Sequence, residues 1–246
     1  MIQRKRGLFL VGLLAALAAV VILFPARVAY RMASPPLVAL SGLSGTIWHG
    51  SAREFSTNGI YLRDLEWRIK PAGLLTGKAV YSVSGSPVSG FFDSEIAIGL
   101  GGKLALSNLT ASLPLQMLAE PAGVAGLRGN LSVQLDRLEL VAGRPAALDG
   151  TADIAGLVVP MVSRTSLGGY HAEFFTQNNG IVASIEDTDG VVDLAGSLQL
   201  NQDKSYSFVG QVVAKADTPA SLKQRMQVLP RTDRPGQHEL RLDGSY

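Results

Sequence analysis

Three histidines and one run of carboxylates are the residues whose types could do chemistry in this chain. His49, His171 and His238 are isolated from one another, and none sits in an H-E-x-x-H pattern that would place two imidazoles on one metal. Each reads as a surface or packed histidine. Glu186, Asp187 and Asp189 gather beside Gly190. Oxygen clusters of this kind can hold calcium, but the alternating ligand spacing of a calcium loop is missing, so the group reads as a solvated turn. Gly42-Leu43-Ser44-Gly45-Thr46 approaches the G-x-S-x-G elbow of a serine nucleophile and departs from it at the last position. No phosphate-cradling glycine loop of the Walker or dinucleotide type occurs. The chain has no cysteine, which removes disulfides, thiolate metal sites and cysteine catalysis together. No catalytic, cofactor-binding or metal residue is therefore assigned, and no enzymatic activity is expected.

The elements that would have to position such residues begin with the amino-terminal segment. Gly7 to Phe24 is uncharged and mostly apolar, follows Arg4-Lys5-Arg6, and is closed by Pro25 and Arg27. At ~1.5 Å rise per residue, ~17–25 apolar residues cross a hydrocarbon core. The expectation is one transmembrane helix over 7–26, with residues 1–6 retained in the cytoplasm by their positive charge. A cleaved signal peptide is the competing reading, but its small-x-small site, Ala16-Leu17-Ala18, lies in the middle of the run. Residues 27–40 read as an extended linker, because Pro35-Pro36 disfavours helix. Residues 41–246 read as an exported, periplasmic β-rich domain. Net charge is +2 with scattered charges, so no nucleic-acid partner is expected.

Period-two alternation fills that domain. Leu65, Trp67 and Ile69 share one strand face with Tyr61, against Asp64, Glu66, Arg68 and Lys70 on the other. Phe92 to Leu100, Leu131 to Leu140 and Val192 to Leu200 alternate likewise, the second with a phase shift at Asp136-Arg137 that predicts a bulge. Tyr206 to Val212 completes a hairpin across Asn201–Ser205, and His238 to Gly244 reads as a last strand. Gly101-Gly102, Gly168-Gly169 and Asn178-Asn179-Gly180 mark turns. Short helices are expected at Leu115–Glu120 and Thr218–Leu229, the latter capped by Thr218. A glycine followed by alternating apolar residues recurs at Gly102, Gly129 and Gly196, read as strands that begin after turns. The fold class is mainly β: a single amino-terminal transmembrane helix, then an antiparallel sheet with one or two short helices. Sandwich, barrel and long curved sheet stay open alternatives. Trp48 and Trp67 read as core anchors of the first strands. Asn108-Leu109-Thr110 and Asn130-Leu131-Ser132 match a glycosylation sequon, relevant only to a eukaryotic secretory pathway.

The order of these features resembles the type II secretion system protein N family of Gram-negative bacteria. The resemblance rests on Phe24-Pro25-Ala26-Arg27 after the span and on Leu43-Ser44-Gly45-Thr46-Ile47-Trp48-His49-Gly50-Ser51-Ala52. Leu65-Glu66-Trp67-Arg68, Pro71 and Leu74-Leu75-Thr76-Gly77-Lys78 follow in step, as do the late helix, Gly236 and Asp243-Gly244. It is close over residues 1–80 and looser beyond. It implies a non-enzymatic inner-membrane component of the machinery that exports folded periplasmic proteins across the outer membrane, with inner-membrane and periplasmic secretion proteins as partners. Such families also resemble larger anchored β proteins that carry lipid along a groove. The second reading is therefore a lipid-handling module, separated from the first by whether the apolar strand faces are covered or line an open groove.

Overall fold

The computed structural model describes residues 2–34, 38–57, 59–87, 89–99, 103–141, 143–177 and 180–245, without the side chains of residues 2–11. Pro35-Pro36, Leu100 to Gly102 and Asn178-Asn179 lie outside these. Helix α1 (Ile2–Ile22) leads through a bend at Pro25 into α2 (Ala26–Ala33). The rest is one antiparallel sheet whose strands follow chain order. They are β1 (Val38–Ser41), β2 (Ser44–Gly45), β3 (His49–Thr57), β4 (Ile60–Lys70), β5 (Ala79–Pro87), β6 (Phe91–Ile98), β7 (Lys103–Pro114), β8 (Arg128–Val141), β9 (Arg144–Val158), β10 (Tyr170–Gln177), β11 (Gly180–Asp187), β12 (Val192–Asn201), β13 (Ser205–Ala214) and β14 (Gln237–Ser245). β1 and β2 pair with β3 in succession and form one interrupted edge. β14 is the other edge, and no pairing joins the two among the described residues, so the sheet is open. A helical turn α3 (Pro71–Leu74), a 3-10 turn at Leu115–Leu118 and α4 (Ala220–Met226) complete the fold.

This architecture follows from local rules. Consecutive strands pair most readily, and here each strand from β2 onward pairs with the next in sequence even where the connection is long, as between β7 and β8 and between β13 and β14. The alternatives left by the sequence resolve to the long open sheet. Bulges bend it. The expected one at Asp136-Arg137 is present as a register shift between Leu135 and Arg137. Further shifts occur at Arg63/Glu66, beside Asp64 (φ 51°), and at Asp93/Glu95, opposite Asn108 (φ 51°). Such bulges bend a strand and increase its twist.

Register assigns the two faces. Trp67 pairs with Val83, Ile96 with Leu106, Leu106 with Leu138, and Leu138 with Leu148. Beyond them Phe174 pairs with Ala183, Leu198 with Phe208, and Phe208 with Leu242. One face is thus apolar from edge to edge. The other carries Glu66, Arg68, Gln134, Arg137, Glu173 and Glu186. No second sheet covers the apolar face among the described residues. Buried residues cluster under α2 and under α4, and others such as Leu115, Leu135, Ile181 and Phe208 are buried singly along the sheet. Between them Leu104, Leu106, Leu131, Val133, Leu138 and Leu140 are only half-buried. The chain exposes 15545 Å², against ~10,500 Å² for a compact monomer of 25.9 kDa by area–mass scaling.

Several expectations need correction. Residues 27–40, read as an extended linker, contain α2 and β1. The helix over Thr218–Leu229 is shorter, and Thr218 does not cap it: its hydroxyl donates to the Val191 carbonyl and accepts the Lys215 N–H. The turn at Leu115–Glu120 is 3-10 and ends at Leu118. Gly196 does not begin a strand. It pairs with Gly210 midway along β12 and β13, and a Cβ on either would meet the Phe208 ring at 2.6 or 2.8 Å. Among the described residues no helix is long and apolar enough to cross a membrane; the span expected over 7–26 falls partly on side chains outside them.

Candidate functional site

The conspicuous stretch Leu43 to Ala52 is a joint between α1, α2 and the sheet. Leu43 is buried with Ala26 and Ala52, and its carbonyl accepts the Arg27 Nε–H at 2.6 Å. Ser44 and Ser51 share a hydroxyl hydrogen bond across β2 and β3. Gly45 takes φ +79°, where a Cβ would lie 2.5 Å from the His49 carbonyl oxygen, so glycine is required. The Thr46 carbonyl accepts the Trp67 indole N–H at 3.1 Å. Ile47 N–H donates to the Phe24 carbonyl at 3.1 Å. Trp48 turns outward, and its indole N–H donates to the Val21 carbonyl at 2.7 Å. The Phe24 carbonyl, and the Val21 carbonyl that also accepts the Phe24 N–H at 3.4 Å, thereby gain partners from the bend between β2 and β3.

This corrects the shared role expected for the tryptophans. Trp67 packs at the α2 cluster as expected. Trp48 is a tie to α1, and nothing in a strand periodicity signals that a residue between strands reaches back 27 positions.

Beneath α2 lies an open groove of about 420 Å³. Ala26, Ala29, Tyr30 and Ala33 roof it; Leu65, Trp67, Val83 and Ile96 are among the strand residues that form its floor. Tyr30 is fixed by donating its hydroxyl proton to the Val38 carbonyl at 2.9 Å while accepting the Leu40 N–H. No charged side chain lines the space. The volume falls in the ~300–1,000 Å³ range of small-molecule sites.

The three histidines are not brought together. His49 is exposed at the start of β3. His238 is buried, with Nδ1 3.2 Å from the Leu229 carbonyl. His171 lies on the polar face, 2.6 Å from Asp153 across β9 and β10. That hydrogen bond raises its pKa against a small desolvation, with help from the charges of Asp153, Glu186 and Glu173. No group of three potential metal ligands occurs among the described residues.

The carboxylates also part company. Glu186 faces the polar side opposite His171, whereas Asp187 sits opposite Tyr170 on the apolar side. Asp187 is only 7% exposed, so it is not part of a solvated turn. It accepts Lys215 Nζ at 2.5 Å and the Leu194 N–H at 2.7 Å. Burial pushes its carboxyl up, but the Lys215 and Leu194 hydrogen bonds and the Lys215 charge outweigh this and hold it below the usual range. Oδ2 fastens Lys215, just after β13, to the end of β11, and Oδ1 holds the start of β12 at Leu194. Tyr170, buried next to Asp187 and Asp189, has its phenol pushed up to about 12.

The arrangement is thus an apolar sheet face with an open apolar groove at one end and a joint to α1. The family model for type II secretion system (T2SS), protein N, matches residues 36–241. The chain belongs to that family. A type II secretion system protein N of Vibrio cholerae serotype O1 is 24% identical over 238 residues, covering 93% of each chain. One from Aeromonas hydrophila is 24% identical over 221 residues, covering 85% of each. No solved structure gives a significant match. In this member of the protein N family the joint gives the stretch a physical content: its glycines permit close approach, and its carbonyls and the Trp48 indole tie three elements. The family is one of secretion-machinery components and not of known enzymes.

Proposed function

We propose that this chain is an anchored inner-membrane component of the type II secretion machinery that supports export of folded periplasmic proteins across the outer membrane. α1 holds the membrane, the amino terminus stays in the cytoplasm and the sheet stands in the periplasm. The observation that carries this is the joint: an anchor that only tethered would need no indole and amide hydrogen bonds to its last turn. Support for the anchor comes from the uncharged run behind Arg4-Lys5-Arg6 and from Leu13, Leu14, Leu17, Val20 and Leu23, all exposed around the helix. A helix apolar on all sides belongs in an apolar solvent. Partners are other inner-membrane and periplasmic proteins of the same machinery. An alkaline phosphatase fused after Tyr246 is expected to be active, and amino-terminal sequencing to find the anchor retained. A fusion active only as a cytoplasmic reporter, or a mature start near Ala19 or Ala26, would overturn the topology.

The uncovered apolar face favours a second reading, in which the sheet handles lipid. Large exposed apolar patches mark interaction sites, and this face stays half-buried across the middle of the sheet. Lipid co-purifying at a fixed ratio with the detergent-solubilised chain is the expected result; a lipid-free chain that still restores secretion would leave the first reading alone.

A further inference from the structure

The groove beneath α2 sits within one bend of the end of α1. We propose that it takes one acyl chain of an anionic phospholipid drawn from the membrane that holds α1. The inference rests on the lipid-handling reading and names its entry site.

The helix that roofs the groove has three faces. Ala26, Ala29, Tyr30 and Ala33 lie over the groove. Arg27 and Arg31, one turn apart, form a basic flank. Val28 and Met32 point away from the sheet, 42% and 76% exposed. A short helix with exposed apolar residues beside arginines is suited to the headgroup boundary, where basic side chains meet anionic lipid. Its place directly after α1 puts it there. The same helix therefore contacts the membrane on one side and covers an apolar groove on the other. The lining carries no charged side chain, and the Tyr30 hydroxyl and Trp67 indole N–H are already engaged by backbone carbonyls, which favours an aliphatic chain as the occupant and the arginine flank as the place for its phosphate.

The groove is not a dead end. Ile98, at its border, pairs with Leu104 of β7, and Leu104 pairs with Leu140 of β8. A chain entering under α2 meets the half-buried leucines of the open face without crossing a polar residue.

The test uses the full chain in vesicles of phosphatidylethanolamine and phosphatidylglycerol, with the photoreactive residue p-benzoylphenylalanine at Ile98, at Leu138 or at Ser132. Ile98 is 52% exposed, so the probe fits without repacking. After irradiation the mass of the protein reports attached lipid. Adducts are expected at Ile98, absent at Ser132 on the polar face, and enriched several-fold in phosphatidylglycerol over its share of the vesicle. Arg31→Gln should remove that enrichment while the melting temperature stays unchanged. Adducts at Leu138 with none at Ile98 would overturn the entry site and leave the lipid-handling reading standing. Adducts at neither overturn both. Equal adducts at Ser132, or no phosphatidylglycerol preference at Ile98, overturn the proposal as stated.

Discussion

A Cβ on Gly50 would lie 2.5 Å from the six-membered ring of Trp67 and 2.5 Å from the Ser44 carbonyl oxygen. Gly50 and Trp67 are direct partners across β3 and β4, so the indole lies flat over a position that only hydrogen can occupy. The ring keeps its place by donating to the Thr46 carbonyl. Gly50→Ala is expected to cost about 1–3 kcal/mol, the usual penalty of overpacking. Thermal melting of the detergent-solubilised chain checks this; a melt unchanged within error would mean the indole moves freely.

The two tryptophans should separate by mutation. Trp67→Ala is expected to lose up to ~3–5 kcal/mol and to lower folded protein and secretion together. Trp67→Phe should lose the hydrogen bond, ~0.5–1.5 kcal/mol, together with the packing of the missing ring atoms, and so fall short of the loss in Trp67→Ala. Trp48→Phe breaks the tie to Val21 and leaves the sheet alone, so its melt should stay within ~0.5 kcal/mol of wild type. Trypsin should nonetheless cut faster after Arg27. A stable Trp67→Ala chain that no longer supports secretion would make Trp67 a partner contact.

The Asp187–Lys215 pair should act as a pH-dependent clasp. Asp187 is held below its ordinary value, so its contribution is present above the normal carboxylate range and lost as pH falls through the depressed value. Asp187→Asn is expected to cost about 1–3 kcal/mol near neutrality. The difference from wild type should shrink below pH ~4. Denaturant melts at several pH values measure it, and a difference independent of pH would contradict the clasp.

His171 titrates in the opposite sense. Its pKa is raised by Asp153, so the contact stabilises fully below the ordinary histidine value and is lost as pH rises through the raised one. Its imidazole resonance should titrate above ~6.5 by NMR, and Asp153→Asn should bring it down. No movement on that substitution would separate the two groups in solution.

Sequence by itself determined the strand-rich class, the bulge at Asp136-Arg137, the hairpin over Asn201–Ser205 and the family. Period-two alternation and turn chemistry are local, and a meander of neighbouring strands needs little else. The stretch Leu43 to Ala52 was legible as diagnostic because its glycines and its indole are unusual together. What it joins was not, since its hydrogen bonds run to Val21, Phe24 and Trp67. Strand parity could have separated Glu186 from Asp187: Ile181, Ala183 and Ile185 share the aspartate's face. Only tertiary structure decided what covers that face. Alternation says that each strand has an apolar side, but whether those sides meet a second sheet, close into a barrel or stay open depends on bulges, register and the edges. The same holds for α2, whose residues 26–33 form too short a helix to stand without the cluster of Leu43, Ala52 and Trp67 beneath it.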